Sequence, residues 1–101
     1  MDIKVNKNNE GFTAIPNGKL DANGSVSLQN VMDEILKEGA NVKVVIDFSS
    51  VPFASSSGLR VLLLAMKKIN AAGGSLELQN VSDNIKEIFN VTGFSSILRI
   101  V

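Results

Sequence analysis

The chain has 101 residues, nearly half of them apolar, with ten acidic and ten basic side chains and a formal net charge of zero. That length fits one domain, 1–101, burying roughly 65 % of its unfolded surface. With no cysteine and no histidine, disulfides, thiolate metal sites, thiol catalysis and the commonest general base are excluded. The neutral balance and the absence of Trp and Tyr argue against a nucleic-acid or acidic-membrane surface. The polar start MDIKVNKNNEGF has no signal-peptide core, and the longest apolar run, 61–66, is too short to span a bilayer. The expectation is a soluble, cytoplasmic protein with no membrane insertion.

Ile3 and Val5 alternate with polar residues and predict a first strand. The turn signal at Asn8, Asn9, Glu10 and Gly11 leads to a second strand over 12–15, so the two should form a hairpin. Pro16 belongs at a strand end or an edge. Leu28, Val31, Met32, Ile35 and Leu36 fall on one face of a helix, with Gln29, Asp33, Glu34 and Lys37 opposite. Ser25 is its expected N-cap and Gly39 its expected end.

The run 42–48, VKVVIDF, reads as a central strand covered on much of both faces. A loop over 49–57 contains Pro52, and a helix from Gly58 to Ala72 ends at Gly73 and Gly74. That helix is apolar over more than half its circumference, which fits deep burial or a docking strip. Residues 75–79 alternate as a strand. Ser82 can cap a third helix with the face Ile85, Ile88 and Phe89, ended by Gly93, and 97–101 holds a short edge strand. The order β-β-α-β-α-β-α-β calls for an α/β domain with a mixed sheet of four or five strands, right-handed crossovers and helices mainly on one face.

Chemistry concentrates between the strand 42–48 and the helix that follows. Ser55, Ser56 and Ser57 stand where an α/β sheet places ligands and partners. Three serines in a row are also ordinary turn and capping chemistry, with Ser57 the expected cap. Gly58 allows close approach of another backbone, or tight packing of the helix on the sheet. Asp21 and Asp47 read as turn or helix-cap carboxylates rather than as an acid pair or metal site. There is no P-loop, no G-x-S-x-G and no His to activate a serine, so neither an enzyme nor a cofactor is expected.

The ordered motifs Asp47-Phe48-Ser49, Val51-x-Phe53, Ser56-Ser57-Gly58-Leu59, Gly73-Gly74 and Val91-Thr92-Gly93-Phe94, with Gly18-x-Leu20-Asp21 upstream, resemble the STAS family over nearly the whole chain. That family includes anti-sigma factor antagonists and the cytosolic domains of anion transporters. The resemblance implies a STAS-like fold and phosphorylation at Ser56, with Ser57 the less favoured hydroxyl. It implies a partner surface at Asp21, Ser55, Ser56, Ser57, Gly58, Leu59 and Arg60. The implied partners are an anti-sigma factor of the histidine-kinase-like ATPase class with serine kinase activity, and a PP2C-type phosphatase. Phe53 is expected in the core, fixing the height of the loop.

Two departures accompany the resemblance. Ser55 stands where the family commonly has Asp, and the sequence stops at Val101 where many members continue into another helix. Both favour an alternative: a non-phosphorylated accessory subunit of a lipid ABC transporter or larger signalling assembly. A small-ligand-binding module is a further alternative.

Overall fold

A computed structural model describes residues 1–39 and 41–101. The elements in chain order are β1 (Asp2–Lys7), β2 (Gly11–Asn17), α1 (Ala22–Lys37), β3 (Lys43–Asp47), α2 (Ser56–Ala71), β4 (Ser75–Gln79), α3 (Asp83–Thr92), a 3-10 turn (Phe94–Ser96) and β5 (Arg99–Ile100). The five strands lie in the order β1-β2-β3-β4-β5, with β1 antiparallel to β2 and every later pair parallel. Each crossover therefore steps in the same direction across the sheet. Right-handed connections then put all three helices on one face.

The register builds that face. Phe12, Val44 and Leu76 form one row across β2, β3 and β4, and Ala14, Ile46 and Leu78 form the next. All six are buried. Leu28, Met32 and Ile35 from α1, Leu59, Leu62, Ala65 and Ile69 from α2, and Ile85 and Phe89 from α3 close over them. The short β5 is the edge beyond β4, held by Val101 N–H donating to the Leu78 carbonyl at 2.9 Å. The N-terminal hairpin forms as expected, and Pro16 pairs with β1 beyond the β2–β3 register.

Four expectations need correction. The central strand β3 is not covered on both faces: Val44 and Ile46 are buried, but Val45 is only half-buried on the helix-free side. Its row there is Thr13, Val45, Glu77 and Arg99, in which Arg99 pairs with the mostly buried Glu77 at 3.6 Å. A run of β-branched residues thus reflects strand preference as well as burial.

The first helix starts one turn early. Its N-cap is Asp21, which accepts from the Gly24 N–H, while Ser25 is buried inside the helix and donates its hydroxyl to the Asp21 carbonyl at 2.6 Å. The second helix starts at Ser56 rather than near Gly58, and its cap is Ser55 rather than Ser57. The wide apolar face of α2 is mostly core, but Leu63 is half-buried and Leu64 is 44 % exposed. No helix among the described residues is long and apolar enough to cross a membrane.

Candidate functional site

The segment between β3 and α2 is fixed by a second stretch of chain. Residues 17–20 run beside 50–54 as a short parallel pairing, Asn17 with Ser50 and Leu20 with Ala54. Gly18 N–H donates to the Ser50 carbonyl at 3.0 Å, Leu20 N–H to the Phe53 carbonyl at 2.8 Å, and Ser55 N–H to the Leu20 carbonyl at 2.8 Å. Leu20 itself is fully buried, so this ladder is nailed to the core.

Leu20 is followed directly by Asp21, the cap of α1, and its carbonyl is bonded by Ser55, the cap of α2. The two helix N-termini are thereby brought side by side from positions 34 apart in sequence. Ser55 is fully engaged: its hydroxyl donates to the Leu20 carbonyl at 3.1 Å and accepts from Gly58 N–H at 3.5 Å. Ser56 and Ser57 are exposed, and neither hydroxyl has a hydrogen-bond partner among the described residues. Of the three serines, Ser55 is structural, and the other two present free hydroxyls.

The remaining expected contact residues divide in the same way. Arg60 is exposed on α2, one turn beyond Ser56. Leu59 is 2 % exposed and belongs to the core, so its side chain does not contribute to a contact surface. Gly58 is buried against Leu20, the close approach that the sequence anticipated. Ala22, Ser25, Val26, Gln29 and Asn30 of α1 face Ser57, Arg60 and Val61 of α2 across an open groove of about 360 Å³. Val26 is 62 % exposed there.

Phe53 is not in the core. It is 45 % exposed, whereas Val51 and Ala54 are each 3 % exposed and point inward. The reason is local. Val51 N–H closes a turn onto the Phe48 carbonyl, so the inward positions are three apart, as in a turn, rather than two apart, as in a strand.

Sequence reasoning missed the brace at the start of this loop. The Asp47 carboxylate accepts from Ser49 N–H at 2.9 Å and from the Asn80 side-chain amide at 3.0 Å. Asn80 follows β4 and holds a positive φ of 56°. The Asn80 amide, and after it the Ser49 N–H, hold the Asp47 carboxyl below the usual carboxylate range. A carboxylate two residues before a serine at a strand end is an Asx-turn signal. The contact with Asn80, 33 residues on, has no such local sign. Among the described residues, no three metal-ligating side chains gather at one place.

A mixed sheet with helices on one face, a serine-led helix after the central strand, and a second chain segment laddered along the intervening loop define a small α/β module. The STAS domain family matches residues 3–101, and the chain belongs to that family. It is 27 % identical over 100 residues to the anti-sigma-B factor antagonist of Bacillus subtilis, covering 99 % of this chain and 88 % of that protein. The fold is shared with an anti-sigma factor antagonist from Mycobacterium paratuberculosis, at TM-score 0.84 and 18 % identity over 98 % of this chain and 83 % of that one. It is also shared with the unphosphorylated anti-sigma factor antagonist SpoIIAA, at TM-score 0.77 and 19 % identity over 99 % of this chain and 87 % of that one.

Proposed function

We propose that this chain is a cytoplasmic anti-sigma factor antagonist whose partner binding is switched by phosphorylation at Ser56. The observation that carries this reading is the contrast among the three serines. Ser55 is consumed in holding the loop and capping α2, and Ser56 stands exposed and unbonded at the first position of that helix. A hydroxyl so placed can be modified without dismantling any contact that holds the fold.

In the unphosphorylated state the surface formed by Asp21, Ser56, Ser57 and Arg60 binds an anti-sigma factor of the histidine-kinase-like ATPase class. That partner, acting as a serine kinase, transfers a phosphoryl group to Ser56, and a PP2C-type phosphatase removes it. The domain is substrate and switch, and carries no catalytic residue of its own. A phosphate adds about −1.5 to −2 charges. Buried in the complex without a cation from the partner, it is costly, and about 3 kcal/mol weakens binding by roughly two decades.

The test combines mass spectrometry of the chain after incubation with the ATPase partner and ATP, and calorimetric affinity of Ser56→Ala and Ser56→Asp. Ser56→Ala should bind as the unmodified chain does and resist the kinase, and Ser56→Asp should bind more weakly. An unmodified Ser56, together with a Ser56→Asp variant that binds like wild type, would sink the switch. Ser55 in place of the family's common Asp is the observation favouring a second reading, an accessory subunit of a lipid ABC transporter or larger signalling assembly. There the captured partner is a transporter ATPase and Ser56 stays unphosphorylated.

A further inference from the structure

We infer that Arg60 is the internal receiver for a phosphate on Ser56, folding back along the first turn of α2 to pair with it. The inference rests on the reading of Ser56 as the modified hydroxyl and adds how the modified state is held. Ser56 and Arg60 are separated by four positions within one continuous helix, Ser56–Ala71. Residues so spaced lie on the same face, with Cβ atoms about 5–6 Å apart. A phosphoserine and an arginine both reach well beyond their Cβ atoms, so this separation is spanned without moving the backbone.

Arg60 is free to do this. It is exposed, and no ion pair among the described residues uses it. The loop 48–55 leading into α2 contains no charged side chain, and the first turn of α2 contains no acid. The cap, Ser55, is neutral. The charged groups at the adjoining start of α1 are Lys19 and Asp21, of which Asp21 already accepts the Gly24 N–H. Gln29 and Asn30, across the groove from Arg60, are polar but uncharged. Arg60 is thus the cation on Ser56's own helix turn, and it forms no ion pair with Asp21 or any other acid among the described residues.

Guanidinium and phosphate match in geometry, two parallel N–H donors to two oxygens, which an ammonium cannot reproduce. The consequence is a switch with two parts. The phosphate makes the surface anionic, and by drawing Arg60 onto α2 it also withdraws a cation from the surface offered to the partner.

The experiment installs phosphoserine at position 56 during translation of the full chain, so that no kinase is needed. The second ionisation of the phosphate is then followed by phosphorus NMR in the wild-type background, in Arg60→Gln and in Arg60→Lys. Pairing with Arg60 should hold that ionisation about half a pH unit lower than in Arg60→Gln, a size set by exposed ion pairs. Arg60→Lys should fall between the two, and the difference should shrink at ~0.5 M salt. Unphosphorylated Arg60→Gln should melt like wild type, which separates the pairing from a structural role. Superimposable titration curves for wild type and Arg60→Gln would overturn the inference. Failure of the partner kinase to modify Ser56 would overturn the proposed function instead, and leave this titration unaffected.

Discussion

Gly58 lies against Leu20: a Cβ at position 58 would collide with the Leu20 side chain and crowd its carbonyl oxygen. This contact joins the first turn of α2 to the segment that leads into α1, and it sets how closely the two helix starts approach. Gly58→Ala improves helix propensity by about 1 kcal/mol. Leu20 is fully buried and its carbonyl already holds Ser55, so neither can retreat cheaply. Overpacking of this kind costs typically 1–3 kcal/mol. The net expectation is a destabilisation of ~1 kcal/mol, read as a lower denaturant midpoint at unchanged slope. An Ala variant more stable than wild type would show that propensity outweighs the clash.

Phe53 and Phe48 should separate sharply. Phe48 is 1 % exposed at the end of β3, and Phe48→Ala should cost ~3–5 kcal/mol, as large core truncations do. Phe53→Ala should stay within about 1 kcal/mol, because nearly half of the residue is already in water. In a domain of this size the difference corresponds to more than ~10 °C in melting temperature. Equal melting temperatures for the two variants would mean that Phe53 is buried after all.

Asp47 should make part of the stability acid-sensitive. Its folded-state carboxyl lies below the usual range because the Asn80 amide and the Ser49 N–H bond its charged form. A depressed folded value contributes stability that is full above the unfolded value, about 3.9, and is lost as pH falls through the folded value. Because the group is half-buried with partners exposed to solvent, screening keeps the contribution to about 1 kcal/mol or less. Asp47→Ala should therefore be less stable than wild type at pH 7 by that amount, and the gap should narrow below pH ~3.5. Urea melts of both proteins across pH 2.5–7 check it, and a gap that widens in acid would reverse the assignment.

The alternation of strands and helices, and the apolar faces at Leu28, Met32 and Ile35 and at Ile85 and Phe89, made the architecture legible in the sequence. Legibility failed where packing is set by irregular backbone. Val51 and Phe53 look like alternating inward positions, yet the turn at Val51 sends Ala54 inward and Phe53 out. Residues 22–24, Ala-Asn-Gly, favour helix weakly as a group, which hid the first turn of α1 behind a plausible cap at Ser25. Ser56 and Arg60 were legible as surface residues. The role of Ser55 was not, because its partner, Leu20, lies 35 positions away.

That partner decides what restoring the family's common Asp at position 55 should do. As an N-cap, Asp accepts from the first helical N–H groups as well as Ser does. In this chain, however, the Ser55 hydroxyl also donates to the Leu20 carbonyl at 3.1 Å. A carboxylate has no proton to donate and would face that oxygen as a second acceptor. Ser55→Asp should therefore gain little as a cap, lose one hydrogen bond worth about 1 kcal/mol, and end slightly less stable than wild type at pH 7. Ser55→Ala loses both bonds and should cost about 1–2 kcal/mol. Below pH ~4 the Asp variant regains a proton and with it the donor to Leu20, so its deficit should shrink in acid. The Ala variant should show no such pH dependence relative to wild type. Thermal melts of the three proteins at pH 7 and pH 3.5 separate these outcomes. An Asp variant more stable than wild type at pH 7 would mean that the cap outweighs the bond to Leu20.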